Sequence, residues 1–150
     1  MTSEFDSFYP SAAADGWRRG LPFEFPPAIS DVPIGRIHCS ASALDSRGRI
    51  GERSALRALG WGPGQCVEVG VDRHIAVVRP AEGRRWPIGP RGYLHLPAAV
   101  RHGCHLFAGD RVLLIAALDR GKLLVLPMAA VAGAVYAHSP DLWEPADGYR

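Results

Sequence analysis

Valines at 67, 69 and 71 alternate with Glu68 and Gly70, a period of two that predicts a half-buried strand over residues 66–71. A second strand over 75–79 follows, the two joined by Asp72-Arg73-His74. The same arrangement returns later as 111–118 and 122–126, joined by Asp119-Arg120-Gly121. In that second hairpin Val112 to Leu118 is apolar throughout, which predicts burial on both faces. Gly121 supplies the positive φ that a tight hairpin needs. Two short segments have helical character, residues 53–60 and 97–103. Pro97 suits a first helical position, and Gly60 and Gly103 suit left-handed stops. A short apolar helix is expected over 128–136.

These elements form an internal repeat. Leu44-Asp45-Ser46-Arg47-Gly48-Arg49-Ile50 opens the first copy and Ile88-Gly89-Pro90-Arg91-Gly92-Tyr93-Leu94 the second. The Arg-Gly pair recurs 44 residues on, from Arg47 to Arg91, and Leu56-Arg57 falls opposite Val100-Arg101. The second copy has gained one residue by its next turn, Phe107-Ala108-Gly109-Asp110 against Gly62-Pro63-Gly64-Gln65. Each copy reads as strand, turn, strand, short helix, turn and hairpin. A unit of about forty residues rarely builds its own core, so the two copies are expected to bury their faces against each other.

Around this centre lie two arms. Residues 1–34 hold five prolines, no sustained period and the aromatics Phe5, Phe8, Tyr9, Trp17, Phe23 and Phe25. They predict a flexible arm whose rings dock on the domain or a partner. The expected organisation is an arm over 1–34, tandem repeats over 35–127 (copy one 36–80, copy two 84–127), and a short helix with a loose tail over 128–150.

Charge divides the same way. The chain of 150 residues has a net charge of +2, yet residues 36–127 carry 14 basic and 7 acidic side chains. The ends carry 3 basic and 8 acidic. A basic middle points to an anionic partner, although arginine-rich composition also follows from codon bias. No basic start precedes an apolar run in residues 1–30, and Leu123 to Ala137 is cut by Pro127. Neither a secretory leader nor a membrane span is expected. Three cysteines cannot all pair, which favours a reducing, cytoplasmic setting.

Asp-Ser-Arg-Gly-Arg-Ile, a short helix, Leu-Gly, Pro-Gly-Gln and Val-Glu-Val together resemble the AbrB/MazE/SpoVT swapped-hairpin family. The second copy resembles it too, through Arg-Gly-Tyr-Leu-His-Leu-Pro, Val-Arg, Ala-Gly-Asp-Arg-Val and Leu-Leu-Val-Leu-Pro. Two copies in one chain are similar to the MraZ arrangement. The resemblance implies a mainly β fold with short helices, the two repeats closing a small double-ψ-like β-barrel. It also implies a DNA-binding transcriptional regulator, with double-stranded DNA met by arginines of the first strands and loops. By position these are Arg47, Arg49 and Arg91, with Arg36, Arg53, Arg57 and Arg101 nearby. Departures from the family pattern are Gly51-Glu52-Arg53, Pro90 where copy one keeps Asp45, and Tyr93 where it keeps Arg49, so the two faces are not equivalent.

Against these stand simpler readings. Arg57 and Arg101 are expected to pair with acids of their own domain, such as Glu52 or Asp110. His38, Cys39, His102, Cys104 and His105 lack zinc spacing, so no metal and no cofactor is expected. Cys66 is read as a small core residue. No catalytic motif is present, and Asp45, Asp72, Asp110 and Asp119 fall in turns, where Asp caps backbone N–H groups. An enzyme is not expected. The competing function is an antitoxin or protein-interaction module that holds a toxin-like partner through the acidic, aromatic arms. Homo-oligomers are compatible with either.

Overall fold

In the computed structural model the described residues are 34–83 and 86–145. The expectations for the N-terminal aromatics and for the last five residues lie outside them. The fold is mainly β with short helices. In chain order the elements are β1 (Ile37–Ala43), β2 (Arg49–Ile50), α1 (Ser54–Ala58), β3 (Val67–Asp72), β4 (Ile75–Pro80), β5 (Leu94–His95), α2 (Ala98–Gly103), β6 (Arg111–Ala117), β7 (Lys122–Pro127) and α3 (Met128–His138). Turns of 3-10 helix follow β6 at Leu118–Arg120 and α3 at Pro140–Trp143.

Five strands make one antiparallel sheet in the order β1-β6-β7-β4-β3, and β2 pairs with β5 in a second, two-stranded one. The large sheet is open, with β1 and β3 at its edges. Within each copy the hairpin forms as its sequence predicts, β3 with β4 and β6 with β7. The hairpins then join across the copies through β4 and β7.

First strands are exchanged between the copies. Strand β1 pairs along its whole length with β6 of copy two. In return, residues 86–88 of copy two run beside 64–67 of copy one, bridged at Cys66 and Pro87. Where each exchanged strand ends, the same two backbone bonds recur. Leu44 donates to the Asp110 carbonyl at 2.9 Å and accepts from the Gly109 N–H at 2.7 Å. Ile88 does the same with Gln65 and Gly64, both at 2.9 Å. Neither copy therefore completes a sheet alone.

The core follows from this exchange. It contains Leu44, Ile50 and Leu56 from copy one, Ile88, Leu94, Leu96 and Val100 from copy two, and Val67, Val78, Val112, Leu114, Leu123 and Val125 from the hairpins. Each copy contributes its first-strand end, its second strand and its helix to one shared interior.

Several expectations are corrected here. Strand β6 is buried on one face only, because Leu113 and Ile115 point away from the core and stay half-exposed. Its apolar run does not mean two covered faces. Gly103 lies inside α2, and the left-handed residue that ends the turn is His105, at φ +53°. His105 occupies the place of Gly60 in copy one, at φ +75°. The inserted residue thus falls within the helix, five residues long in copy one and six in copy two. Pro97 precedes the helix as its cap. Cys66 is half-exposed at the start of β3, and Cys104 is the cysteine that enters the core.

Candidate nucleic-acid interface

Antiparallel pairing of β2 with β5 sets Arg49 opposite His95 and Ile50 opposite Leu94. This brings the two Arg-Gly loops to the same end of the fold. Each loop closes by the same backbone bonds. Gly48 N–H reaches the Asp45 carbonyl at 3.1 Å, and Gly92 N–H the Gly89 carbonyl at 2.8 Å. Both glycines sit at φ +80°, a conformation that side chains resist. These bonds set Gly89 opposite Asp45 and Pro90 opposite Ser46, which corrects the alignment of Pro90 with Asp45 by one residue.

Loop one is held by its acid. Asp45 Oδ1 accepts the backbone N–H groups of Arg47, at 2.9 Å, and Arg49, at 2.8 Å. Its Oδ2 accepts Arg49 Nε at 2.7 Å. The backbone N–H of Arg49, together with its guanidinium and the N–H of Arg47, holds the Asp45 carboxyl down to about 2. Arg49 is thereby fixed in direction and partly neutralised. Arg47 is exposed at the loop tip, and its guanidinium has no partner among the described residues.

Loop two is held differently. With Gly89 in the acid's place it has no carboxylate, and Tyr93 stands where Arg49 stands in loop one. Arg53, at the start of α1, takes over. Its Nη1 donates to the Arg91 carbonyl at 3.0 Å, and its guanidinium lies 5.1 Å from the centre of the Tyr93 ring. Glu52 accepts the Ser54 N–H, which lowers its pKa and places a carboxylate at the start of α1.

Two open grooves meet at Arg91. One is lined by Arg53, Arg57, Trp61, Pro63 and Gly92, the other by Arg49, Pro87, Pro90, Tyr93 and His95. Among the described residues no carboxylate lines either groove. The expected ion pairs of Arg57 and Arg101 with Glu52 or Asp110 do not form. Instead Arg57 is exposed beside the first groove, and Arg101 Nε donates to the Leu96 carbonyl at 3.2 Å beneath Gly48.

Of the sequence-predicted arginines, Arg49, Arg53 and Arg91 are brought together around the grooves, and Arg47 is exposed two residues before Arg49 on loop one. Arg36 is not among them. It precedes β1 at the far end of a seven-residue strand, roughly 23 Å from the loops at ~3.3 Å per residue. There it pairs with Asp119 at 2.9 Å. Its N–H and guanidinium lower the Asp119 pKa, so this turn aspartate is an ion-pair partner rather than a local cap. Sequence reasoning missed the role of Tyr93, and it assigned Arg57, a nearby candidate, to an internal ion pair. The signal for Tyr93 was its place opposite Arg49, since a ring there can hold a cation that an acid otherwise holds.

The histidines and cysteines do not converge. His38 and Cys39 face opposite sides of β1, and His38 meets Ser54 Oγ at 3.0 Å. His74 and His105 have ring centres 5.0 Å apart, with His74 Nδ1 3.0 Å from the Gly103 carbonyl. Among the described residues no three His, Cys, Asp or Glu side chains come together to hold a metal ion. No helix there is long and apolar enough to cross a membrane.

No protein-family model matches the chain, and no curated protein or solved structure matches it either.

Proposed function

We propose that this chain is a DNA-binding transcriptional regulator of the AbrB/MazE/SpoVT type, with its two repeats forming one swapped-hairpin β fold. The observation that carries the reading is the meeting of both Arg-Gly loops at one end. There Arg49, Arg53, Arg57 and Arg91 line grooves that no carboxylate of the described residues lines, with Arg47 exposed at the tip of the loop that carries Arg49. Arg47 and Arg91 reach phosphates, while Arg49 and Arg53, held by Asp45 and Tyr93, give the surface its shape. The exchange of first strands between the copies supports the swapped-hairpin part. The three free cysteines fit a reducing, cytoplasmic setting.

The loops are unequal, one built on an acid and an arginine, the other on a proline and a ring. An asymmetric operator follows, with guanine edges or phosphates met by loop one and a stacked or shape-dependent contact by loop two. Fluorescence anisotropy with a GC-rich duplex across a salt series tests the reading. Affinity should fall steeply as salt rises, with a slope that counts the phosphates neutralised. Absence of binding at low salt overturns it.

A second reading, an antitoxin-like or adaptor module, draws on Leu142 and Trp143. Both are exposed beside Asp141 and Glu144. That reading takes over if the duplex is not bound.

A further inference from the structure

Strand β1 carries its polarity reversed. His38, Ser40 and Ser42 point inward, and Ile37, Cys39, Ala41 and Ala43 are exposed on the outward side. Ser40 Oγ is buried there without a hydrogen-bond partner. An antiparallel sheet with one face in water ordinarily shows the opposite, polar residues outward.

The outward apolar rows continue across the sheet. Cys39 stands opposite Ile115 and Ala41 opposite Leu113. Ile115 and Leu113 stand opposite Leu124 and Leu126, and Leu124 opposite Val77. The result is an uncharged band over β1, β6, β7 and β4. Directly after β7, and in contact with β6 and β7, comes α3, whose residues 128–137 include no charged side chain and of which none is buried. Met128, Val135 and Tyr136 are all exposed. A helix apolar on every side belongs in an interior.

The sheet edge beside this band is also unguarded. All seven residues of β1 pair with β6 in unbroken register, with no proline, charge or bulge in the strand. Natural edges are usually blunted by one of these devices. The other edge, β3, carries Glu68 and Asp72.

We propose that the layer formed by this band and α3 packs against the same layer of a second copy of the chain, about a two-fold axis. The occupant follows from charge and size. A nucleic acid or a charged peptide finds counter-charge only at the ends of the rows, and across the band its own charges would be stripped of water against Leu113 and Leu124. A second copy brings an uncharged surface of the same dimensions. Four strands at ~4.8 Å spacing span about 14 Å between the outer two, and eleven residues of α3 rise about 16 Å. Self-complementary contact of one patch about a two-fold is the commonest route to a dimer. Arg79 and Lys122 on one side of the band and Arg111 on the other supply a polar rim.

The test is sedimentation velocity on the full chain, up to about 100 µM so that a weak association is seen. The expected mass is twice the 16.2 kDa of one chain. Ala41→Glu and Val135→Glu, both at exposed positions, should each return it to one chain with an unchanged far-UV spectrum. Phe107→Glu, exposed but outside the layer, should leave the dimer intact. A wild type that stays at one chain overturns the proposal. So does a dimer that survives both layer substitutions, because the contact then lies elsewhere, residues 1–33 included.

Discussion

Arg53 and Tyr93 belong to different copies of the repeat, yet the guanidinium of one lies 5.1 Å from the ring centre of the other. This contact, with the bond from Arg53 to the Arg91 carbonyl, ties the first helix to the second loop. Its removal should loosen loop two alone. Tyr93→Leu and Arg53→Ala should each destabilise modestly, and their coupling in a double-mutant cycle should be about 0.5–1 kcal/mol, as for partly exposed cation–π pairs. Thermal unfolding of the four proteins measures it. Zero coupling would mean that the ring and the cation are merely neighbours.

Arg47 and Arg91 stand at equivalent loop tips, both exposed. Arg47→Ala combined with Arg91→Ala should lower duplex affinity and reduce the slope of log affinity against log salt by roughly 2, at ~0.9 per phosphate contact. Melting temperature should hardly change. Arg49→Ala should behave differently, because it also breaks the 2.7 Å pair with Asp45 and frees loop one. A double variant that keeps the wild-type salt slope removes these arginines from the interface.

Much of this fold was legible in the chain. The 44-residue offset marked the repeat, the valine alternation marked β3, and Gly121 marked the β6–β7 turn. The exchange of first strands was not readable from any local pattern, because Leu44 and Ile88 look alike whichever copy they join. The direction of β6 was also hidden. Its outward Leu113 and Ile115 are as apolar as its inward Val112 and Leu114, so no period survives. At the site, arginine content marked the loops. What holds each arginine depends on contacts between copies, as with Arg53 and Tyr93, or on an Asx turn such as that of Asp45. Arg36 misled because nearness in sequence to Arg47 is distance along a strand.

The core shared by the copies sets the cost of truncation. Leu56→Ala, at a position 2% exposed, should cost about 2–4 kcal/mol, and Val100→Ala, 7% exposed, about 2 kcal/mol. Urea unfolding should show one transition in both variants, because neither copy has a core of its own. Two separate transitions would contradict the shared interior.

Glycines separate strain from crowding. Gly48 has φ +80°, and a methyl group there would lie 2.8 Å from Arg101 Nε and 3.0 Å from the Leu96 carbonyl oxygen. Gly64 has φ +84° but open space around it, and Gly70 has neither constraint. Alanine should therefore be tolerated at 70, cost about 1–2 kcal/mol at 64 from backbone conformation, and cost more at 48. Chemical denaturation of the three variants gives the order. Equal losses at 48 and 64 would show that Arg101 swings away freely.

Acid should release loop one late. Asp45 is held near 2 in the folded chain, against 3.8 for a free side chain. A depressed carboxylate stabilises the fold fully above its unfolded value, and the contribution fades as pH falls from there through about 2. Carbon-13 titration of the Asp45 carboxyl should therefore place its midpoint near 2, well below that of an exposed carboxylate. In Arg49→Ala the midpoint should rise, since the bonds from the guanidinium are gone, but not fully to 3.8, because the N–H groups of residues 47 and 49 still point at Oδ1. A wild-type midpoint near 3.8 would mean that the carboxylate does not hold the loop, and the fixed direction of Arg49 would go with it.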